Sequence, residues 1–297
     1  MFGYLEIIRP KNCLMAAFAV LIGSFLVLKL DLLEVWQPVA FAIGAAFLIT
    51  GGGNAINDYF DVEADRLNRP NRPIPSERVS VRGALVFSII LFLAGILLAA
   101  FTTNLAFGIA IFNSFMLFIY SWSLQHKTFF GNFTVAYLTG STFLFGGAAV
   151  ENIQLPLLFG LLAALTTFPR EIVKDIEDIE GDSKMFIKKY SYVKKRVMER
   201  FTVTDQGVIL KYKKKTGLIT SAFSLAVATA LSPVPYILGL VDFWYLILVI
   251  PADIVFLLCI LKSARAERTQ DFSRISRLIK YGYFLGLLAF LAGILII

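Results

Sequence analysis

Charge and cysteine are what this sequence has least of. Only 16% of its 297 residues are Asp, Glu, Lys or Arg, against about a quarter in a soluble domain. Hydrophobic residues make up 58%, and the mean hydropathy is +0.74. That balance, together with many long apolar runs, excludes a soluble globular chain and indicates an integral membrane protein. Cys13 and Cys259 are the only cysteines, and both lie in apolar runs. A disulfide framework and a thiolate metal centre are therefore excluded. His126, the single histidine, reads as an ordinary loop residue. No stretch reads as a cleaved signal peptide, because the first apolar run is long enough to span and others follow it.

A membrane-crossing helix needs about 20 apolar residues. Nine runs qualify, at roughly 12–30, 36–56, 83–101, 105–122, 133–150, 155–172, 217–239, 243–261 and 279–297. Only Thr102, Thr103 and Asn104 separate the third from the fourth, which predicts a tight helical hairpin. The sixth is expected to end near Pro169. With nine spans, every one of the 28 Lys and Arg residues except Lys29 falls on the side of the N-terminus. The positive-inside rule makes that side cytoplasmic. The net charge of +7 is thus a topological signal and gives no reason to invoke nucleic acid. The expectation is one all-α membrane domain over 1–297, with small cytoplasmic cap segments at about 58–82, 183–216 and 262–280, the last of them helical. Within the second cap, RFTVTDQGVILKY alternates around a turn signal at Asp205-Gln206-Gly207 and predicts a short β-hairpin.

Two acidic stretches lie on the cytoplasmic side. In GGGNAINDYFDVEADRLNRPNRPIPS, the residues Asn57, Asp58, Asp61 and Asp65 recur every three or four positions. In PREIVKDIEDIEGD, the residues Glu171, Asp175, Asp178 and Asp182 are four, three and four apart. Helical spacing puts each set on one face of a helix end. One such cluster is equally well read as a solvated helix cap. Two on the same side favour divalent ions gripping a phosphorylated substrate, because clustered acids at a membrane boundary need a compensating cation. Asn57 with Asp61, and Asp178 with Asp182, are the chelating pairs at i, i+4. The prolines of Arg69-Pro70-Asn71-Arg72-Pro73-Ile74-Pro75 stiffen a loop whose arginines suit bidentate phosphate binding. Tyr120 and Lys127 offer a hydroxyl and an ammonium to a departing diphosphate; each alone also reads as an interfacial anchor. Lys174 either neutralises a carboxylate or touches phosphate. Some of the 28 phenylalanines would line an apolar slot and steady an allylic cation.

NDYFDVEAD followed by NRPNRPIPS resembles the first Asp-rich signature of the UbiA superfamily of intramembrane prenyltransferases. KDIEDIEGD resembles the second, and YSWSLQHK is similar to the Tyr-Ser element of the fourth span. The resemblance covers nearly the whole chain. It implies nine transmembrane helices around a central cavity open to lipid, and transfer of a prenyl group from a Mg²⁺-bound prenyl diphosphate. It implies two Mg²⁺ ions, one on Asn57 and Asp61 and one on Asp178 and Asp182. Asp58, Asp65 and Asp175 would support them, and Arg69, Arg72, Tyr120 and Lys127 would contact diphosphate. Glu171 would act near the acceptor as base or orienter. The opening YLEIIRPKNCLMAAFAVLIG resembles archaeal members that alkylate the free hydroxyl of geranylgeranylglyceryl phosphate with geranylgeranyl diphosphate, in ether-lipid synthesis. Arg9, Lys11 and Asn12 would then hold the acceptor. After Asp182 the chain reads SKMFIKKYSYVKK, where many relatives continue with a Gly-Ile-x-Thr-Leu-like run.

Three other readings remain. An aromatic acceptor of quinone, haem or chlorophyll type would keep the family and change the product. A CDP-alcohol phosphotransferase would need an Asp-Gly-x-x-Ala-Arg opening, which is missing. A cation transporter would place its acids near mid-bilayer on broken helices, whereas these sit at the cytoplasmic edge.

Overall fold

The computed structural model describes residues 2–126, 128–189, 203–266 and 268–295; the side chains of 30, 126, 128, 178–189, 203–213, 269 and 295 fall outside that description. Among the described residues the secondary structure is helical, without strands. In order the helices are α1 (Phe2–Ile7), α2 (Pro10–Leu28), α3 (Trp36–Phe60), α4 (Val62–Asn68), α5 (Val81–Ala99), α6 (Asn104–Trp122), α7 (Thr128–Ala148) and α8 (Gln154–Lys189). Then follow α9 (Val203–Leu231), α10 (Val234–Ile237), α11 (Phe243–Ser263) and α12 (Thr269–Leu295).

Eight helices among the described residues are long and apolar enough to cross a membrane: α2, α3, α5, α6, and segments of α8, α9, α11 and α12. The protein is therefore a multi-pass membrane protein. The run expected at 133–150 folds as α7. Asn132, Thr134, Thr139, Ser141 and Thr142 make that helix less apolar than the others. The hairpin between the third and fourth spans is present, with Thr103 capping α6 by accepting from the Ala106 N–H at 3.1 Å.

Two expectations change. Residues 203–212 do not form a β-hairpin; they are the first turns of α9. A helix already propagating from an apolar span gains a backbone bond with each added residue, and one Asp-Gln-Gly turn signal does not outweigh that. The segment expected as a helical cap at 262–280 is helical from Thr269 onward, continuous with α12. Pro169 does not end the sixth span, since α8 runs through it to Lys189.

The chain divides into two compact units, residues 1–164 and 165–297. In the first, α2, α3, α5, α6 and α7 pack through small residues. Ala42, Ala45, Ala46, Ala99, Ala106, Ala110, Ala148 and Ala149 fill one core with Val20, Ile49 and Phe145. Lipid offers no hydrophobic reward for helix association, so close backbone approach and interhelical hydrogen bonds do the work. Gly23 lies against the Phe143 carbonyl and Gly146 against the Val20 carbonyl, where a Cβ would overlap backbone. The Ser24 hydroxyl donates to the Gly146 carbonyl at 2.9 Å, and Ser88 to the Gly52 carbonyl at 2.8 Å. A second core joins Ile7, Ile8, Cys13, Ala55, Ala84 and Leu91 to Ile74 and Val79. It pins the Arg-Pro loop and α1 to the end of α3.

In the second unit, Ile172, Val173 and Ile176 pack with Leu225, Phe256, Phe272, Ile275 and Ile279. Pro169 has no N–H, which leaves the Leu165 carbonyl without its helical donor. The Ser224 hydroxyl donates to that carbonyl at 2.7 Å. In a membrane every backbone polar group must be satisfied within the protein, and Ser224 satisfies this one. Ser232 meets a similar need by donating to the Asp253 carboxylate at 2.7 Å. Its carbonyl accepts from the Tyr245 hydroxyl at 2.7 Å.

Candidate functional site

The first acidic stretch straddles a helix junction. α3 ends at Phe60, and Asp61 (φ −87°, ψ 4°) starts α4. The four polar residues, expected on one face, divide into two pairs with different partners. Asp58 and Asp65 turn inward, 4% and 6% exposed. Arg9 forms an ion pair with Asp58. Arg72 pairs with Asp65 and reaches Asp58 at 3.2 Å. Two buried carboxylates thus meet two guanidiniums, as charge at low dielectric requires. Both contacts from Arg72 use Nη1 alone. Its Nη2 and Nε make no hydrogen bond to the described residues.

The backbone aims Arg9 at this cluster. Arg9 links α1 to α2 in the left-handed region (φ 51°, ψ 73°) with Pro10 opening the helix. A following proline disfavours the right-handed helical conformation, and the left-handed turn brings the side chain back over α3. Asn54 secures the turn by donating to the Ile8 carbonyl at 2.8 Å. The loop is braced by Arg78, which pairs with Glu6 and donates to the Asn71 carbonyl at 2.7 Å. That pairing holds the Arg78 guanidinium above its ordinary pKa.

Asn57 and Asp61 face another way. Asn57 Nδ2 donates to Asp61 Oδ2 at 2.6 Å and to Gln125 Oε1 at 3.0 Å. Gln125 Nε2 donates to Asp61 Oδ1 at 2.7 Å. Both oxygens of Asp61 are therefore bound by neutral amides, and no Lys or Arg among the described residues pairs with it. A carboxylate with unbalanced charge, next to two amide groups that supply hard oxygen, fits Mg²⁺. Among the described residues no three His, Cys, Asp or Glu side chains converge on a metal position. The set here combines one carboxylate with amides. Gln125 escaped the sequence reading. It lies within YSWSLQHK, between Tyr120 and Lys127, but a glutamine in a turn carries no signal of its own.

The remaining expected residues are distributed as follows. Arg69 is exposed, and no described carboxylate pairs with it. Lys11 and Asn12 are exposed on the first turn of α2. Tyr120 is half-buried in the last turn of α6. Lys127 lies outside the described residues. Glu171 pairs with its neighbour Arg170, Asp175 is half-buried and Lys174 is exposed. α8 carries Glu171, Asp175, Asp178 and Asp182 on one continuous helix. The side chains of Asp178 and Asp182, expected as metal ligands, lie outside the described residues.

Comparison with known proteins gives a family. The model of the UbiA prenyltransferase family matches residues 16–280. The digeranylgeranylglyceryl phosphate synthase of Methanopyrus kandleri is 40% identical over 296 residues, covering 99% of this chain and 100% of its own. That of Methanococcoides burtonii is 41% identical over 302 residues, covering 98% and 99%. A solved structure described as digeranylgeranylglyceryl phosphate synthase in membranes has a TM-score of 0.84 at 34% identity, covering 99% of this chain and 98% of that one. A UbiA homologue from Archaeoglobus fulgidus bound to DMAPP and Mg²⁺ shares the fold at TM-score 0.57 and 16% identity, covering 96% and 99%. The chain belongs to the UbiA prenyltransferase family.

Proposed function

We propose that this protein transfers a geranylgeranyl group from geranylgeranyl diphosphate to the free hydroxyl of geranylgeranylglyceryl phosphate, releasing diphosphate. One observation of the site carries the reading: among the described residues Asp61 has no cationic partner, while Asp58 and Asp65 beside it are neutralised by Arg9 and Arg72. A divalent ion held by Asp61 and its two amide neighbours would supply the missing charge. The choice of substrates follows the relatives that match end to end.

Asn57 and Asp61 would hold one Mg²⁺, and Asp178 and Asp182 are assigned a second; such ions would supply positive charge to a bound diphosphate. Arg69 and the unused nitrogens of Arg72 donate to its oxygens, and Tyr120 and Lys127 are assigned the same group. As the C1–O bond breaks, diphosphate leaves with the electron pair. The acceptor hydroxyl oxygen bonds to C1 and loses its proton, for which Glu171 is the assigned base or orienter. Arg9, Lys11 and Asn12 hold the acceptor phosphate, and Lys174 and Asp175 border the donor. The apolar membrane setting excludes water that would otherwise capture the allylic cation. The protein works with nine spans, in the cell membrane, with the N-terminus and active-site loops cytoplasmic.

Purified protein supplied with geranylgeranyl diphosphate and a panel of acceptors tests the reading. Geranylgeranylglyceryl phosphate is expected to be alkylated with stoichiometric diphosphate release. Turnover restricted to a quinone-type acceptor would overturn the acceptor assignment. No diphosphate release with any acceptor would overturn the whole reading.

A further inference from the structure

We propose that Gln125 gives its side-chain carbonyl oxygen to the divalent cation held by Asn57 and Asp61. The first motif then has a third protein ligand, carried outside α3 and α4. The inference rests on the metal assignment proposed above.

Two side-chain oxygens converge on one point. Asp61 Oδ2 lies 2.6 Å and Gln125 Oε1 3.0 Å from Asn57 Nδ2. That point holds an NH₂ group, which gives one hydrogen to each oxygen. A half-turn about the terminal torsion of Asn57 exchanges its nitrogen for its oxygen. Three oxygens from three side chains then surround one position. Without a cation that arrangement loses two hydrogen bonds and sets oxygen against oxygen, so the amide keeps its nitrogen inward. With a cation each oxygen gains a ligand bond. The Asn57 NH₂ acts as a placeholder of the right sign.

Gln125 is fixed for this role independently of Asn57. Its Nε2 donates to Asp61 Oδ1 at 2.7 Å, which aims Oε1 at the shared point and holds it there as Asn57 turns. Amide carbonyls suit a hard cation, and Mg²⁺ completes its shell with water and phosphate oxygens.

A second observation points to the same place. Among the described residues the buried Ser121 hydroxyl has no hydrogen-bond partner, on a residue only 1% exposed. Leu117, one turn before it on α6, packs against Gly53 of α3, and Gln125, four residues after it, bonds to Asn57 and Asp61. Ser121 therefore sits on the α3-facing side of α6, between the levels of Gly53 and Asp61. A buried hydroxyl without a partner costs about 1–3 kcal/mol. A water bound to the ion at that level would satisfy it.

The test measures binding of Mn²⁺ alone by electron paramagnetic resonance, on full-length protein in lipid nanodiscs without substrate. An Asp178→Asn, Asp182→Asn background leaves the first motif as the site observed. Gln125→Leu is expected to weaken Mn²⁺ binding at least about tenfold, because losing even an outer partner of a ligand acts on that scale. Gln125→Glu is expected to tighten it about tenfold, because it keeps an oxygen and adds charge. If Gln125 only props up Asp61, both variants weaken binding, since Glu lacks the N–H that holds the carboxylate. That result, or an unchanged affinity in Gln125→Leu, overturns the proposal. If Gln125→Leu fails to fold, the direction of change in Gln125→Glu decides alone. Asp61→Asn separates the two readings. If it abolishes binding while Gln125→Leu does not, the metal assignment stands and this inference falls. If neither changes binding, the metal assignment itself falls.

Discussion

Replacing Arg72 by methionine isolates the energetics of the paired acids at the end of α3. The variant keeps most of the apolar stem and removes the cation. Asp58 retains Arg9, but Asp65 loses its ion-pair partner while only 6% exposed. Breaking a buried pair from one side costs about 3–5 kcal/mol. The Arg72 side chain is 21% exposed, so water reaches the vacancy and the lower end applies, about 3 kcal/mol. At roughly 2 °C per kcal/mol for a chain of this size, the unfolding midpoint should fall by about 6 °C. The protein carries its own reporter. Cys13 is buried in the same core as Ile74 and Val79 of the loop, so a thiol-reactive fluorophore in a Cys259→Ser background follows opening of this region. Adding Asp65→Asn removes the stranded charge and should restore about 2 kcal/mol, a coupling that a double-mutant cycle measures directly. An Arg72→Met midpoint equal to the parent, or no recovery on adding Asp65→Asn, refutes the argument that Arg72 balances buried charge.

Asn57→Ala and Asp61→Asn should each reduce prenyl transfer by at least about a hundredfold, with the unfolding midpoint within about 2 °C of the parent; near-normal turnover at saturating Mg²⁺ would remove both from the metal site. Chelation of divalent ions should abolish diphosphate release, and added Mg²⁺ should restore it. Ser224→Ala should cost about 1 kcal/mol by stranding the Leu165 carbonyl. In a Pro169→Ala background, where residue 169 regains its N–H, that cost should fall close to zero; equal costs in both backgrounds would refute the assignment. Gly146→Leu should prevent accumulation of folded protein, because its side chain would enter the Val20 carbonyl, as monodispersity on gel filtration would register.

The spans were legible because a stretch long enough to cross lipid can hide neither its length nor its apolarity. α7 is the instructive case. Its polar residues weaken the signal, yet 133–148 of the run expected at 133–150 are helical. The β-hairpin expectation failed because alternation over a dozen residues cannot report that a long helix adjoins them. At the site, periodicity located Asn57, Asp58, Asp61 and Asp65 but did not divide them. Spacing says which residues share a helix face; it does not say what that face meets. The division depends on Arg9, which is 49 positions from Asp58, and on Gln125, which is 64 positions from Asp61. Nor does the sequence announce that Arg9 adopts a left-handed backbone, the turn that sends it to Asp58.

The Ser224 bond at Pro169 limits how the second unit can move. Swinging α8 away from α9 at this level would bare a carbonyl to hydrocarbon, which has no donor to offer it. That penalty acts as a latch within the bilayer. Parting these two helices at that level therefore adds the cost of a stranded carbonyl to that of unpacking them.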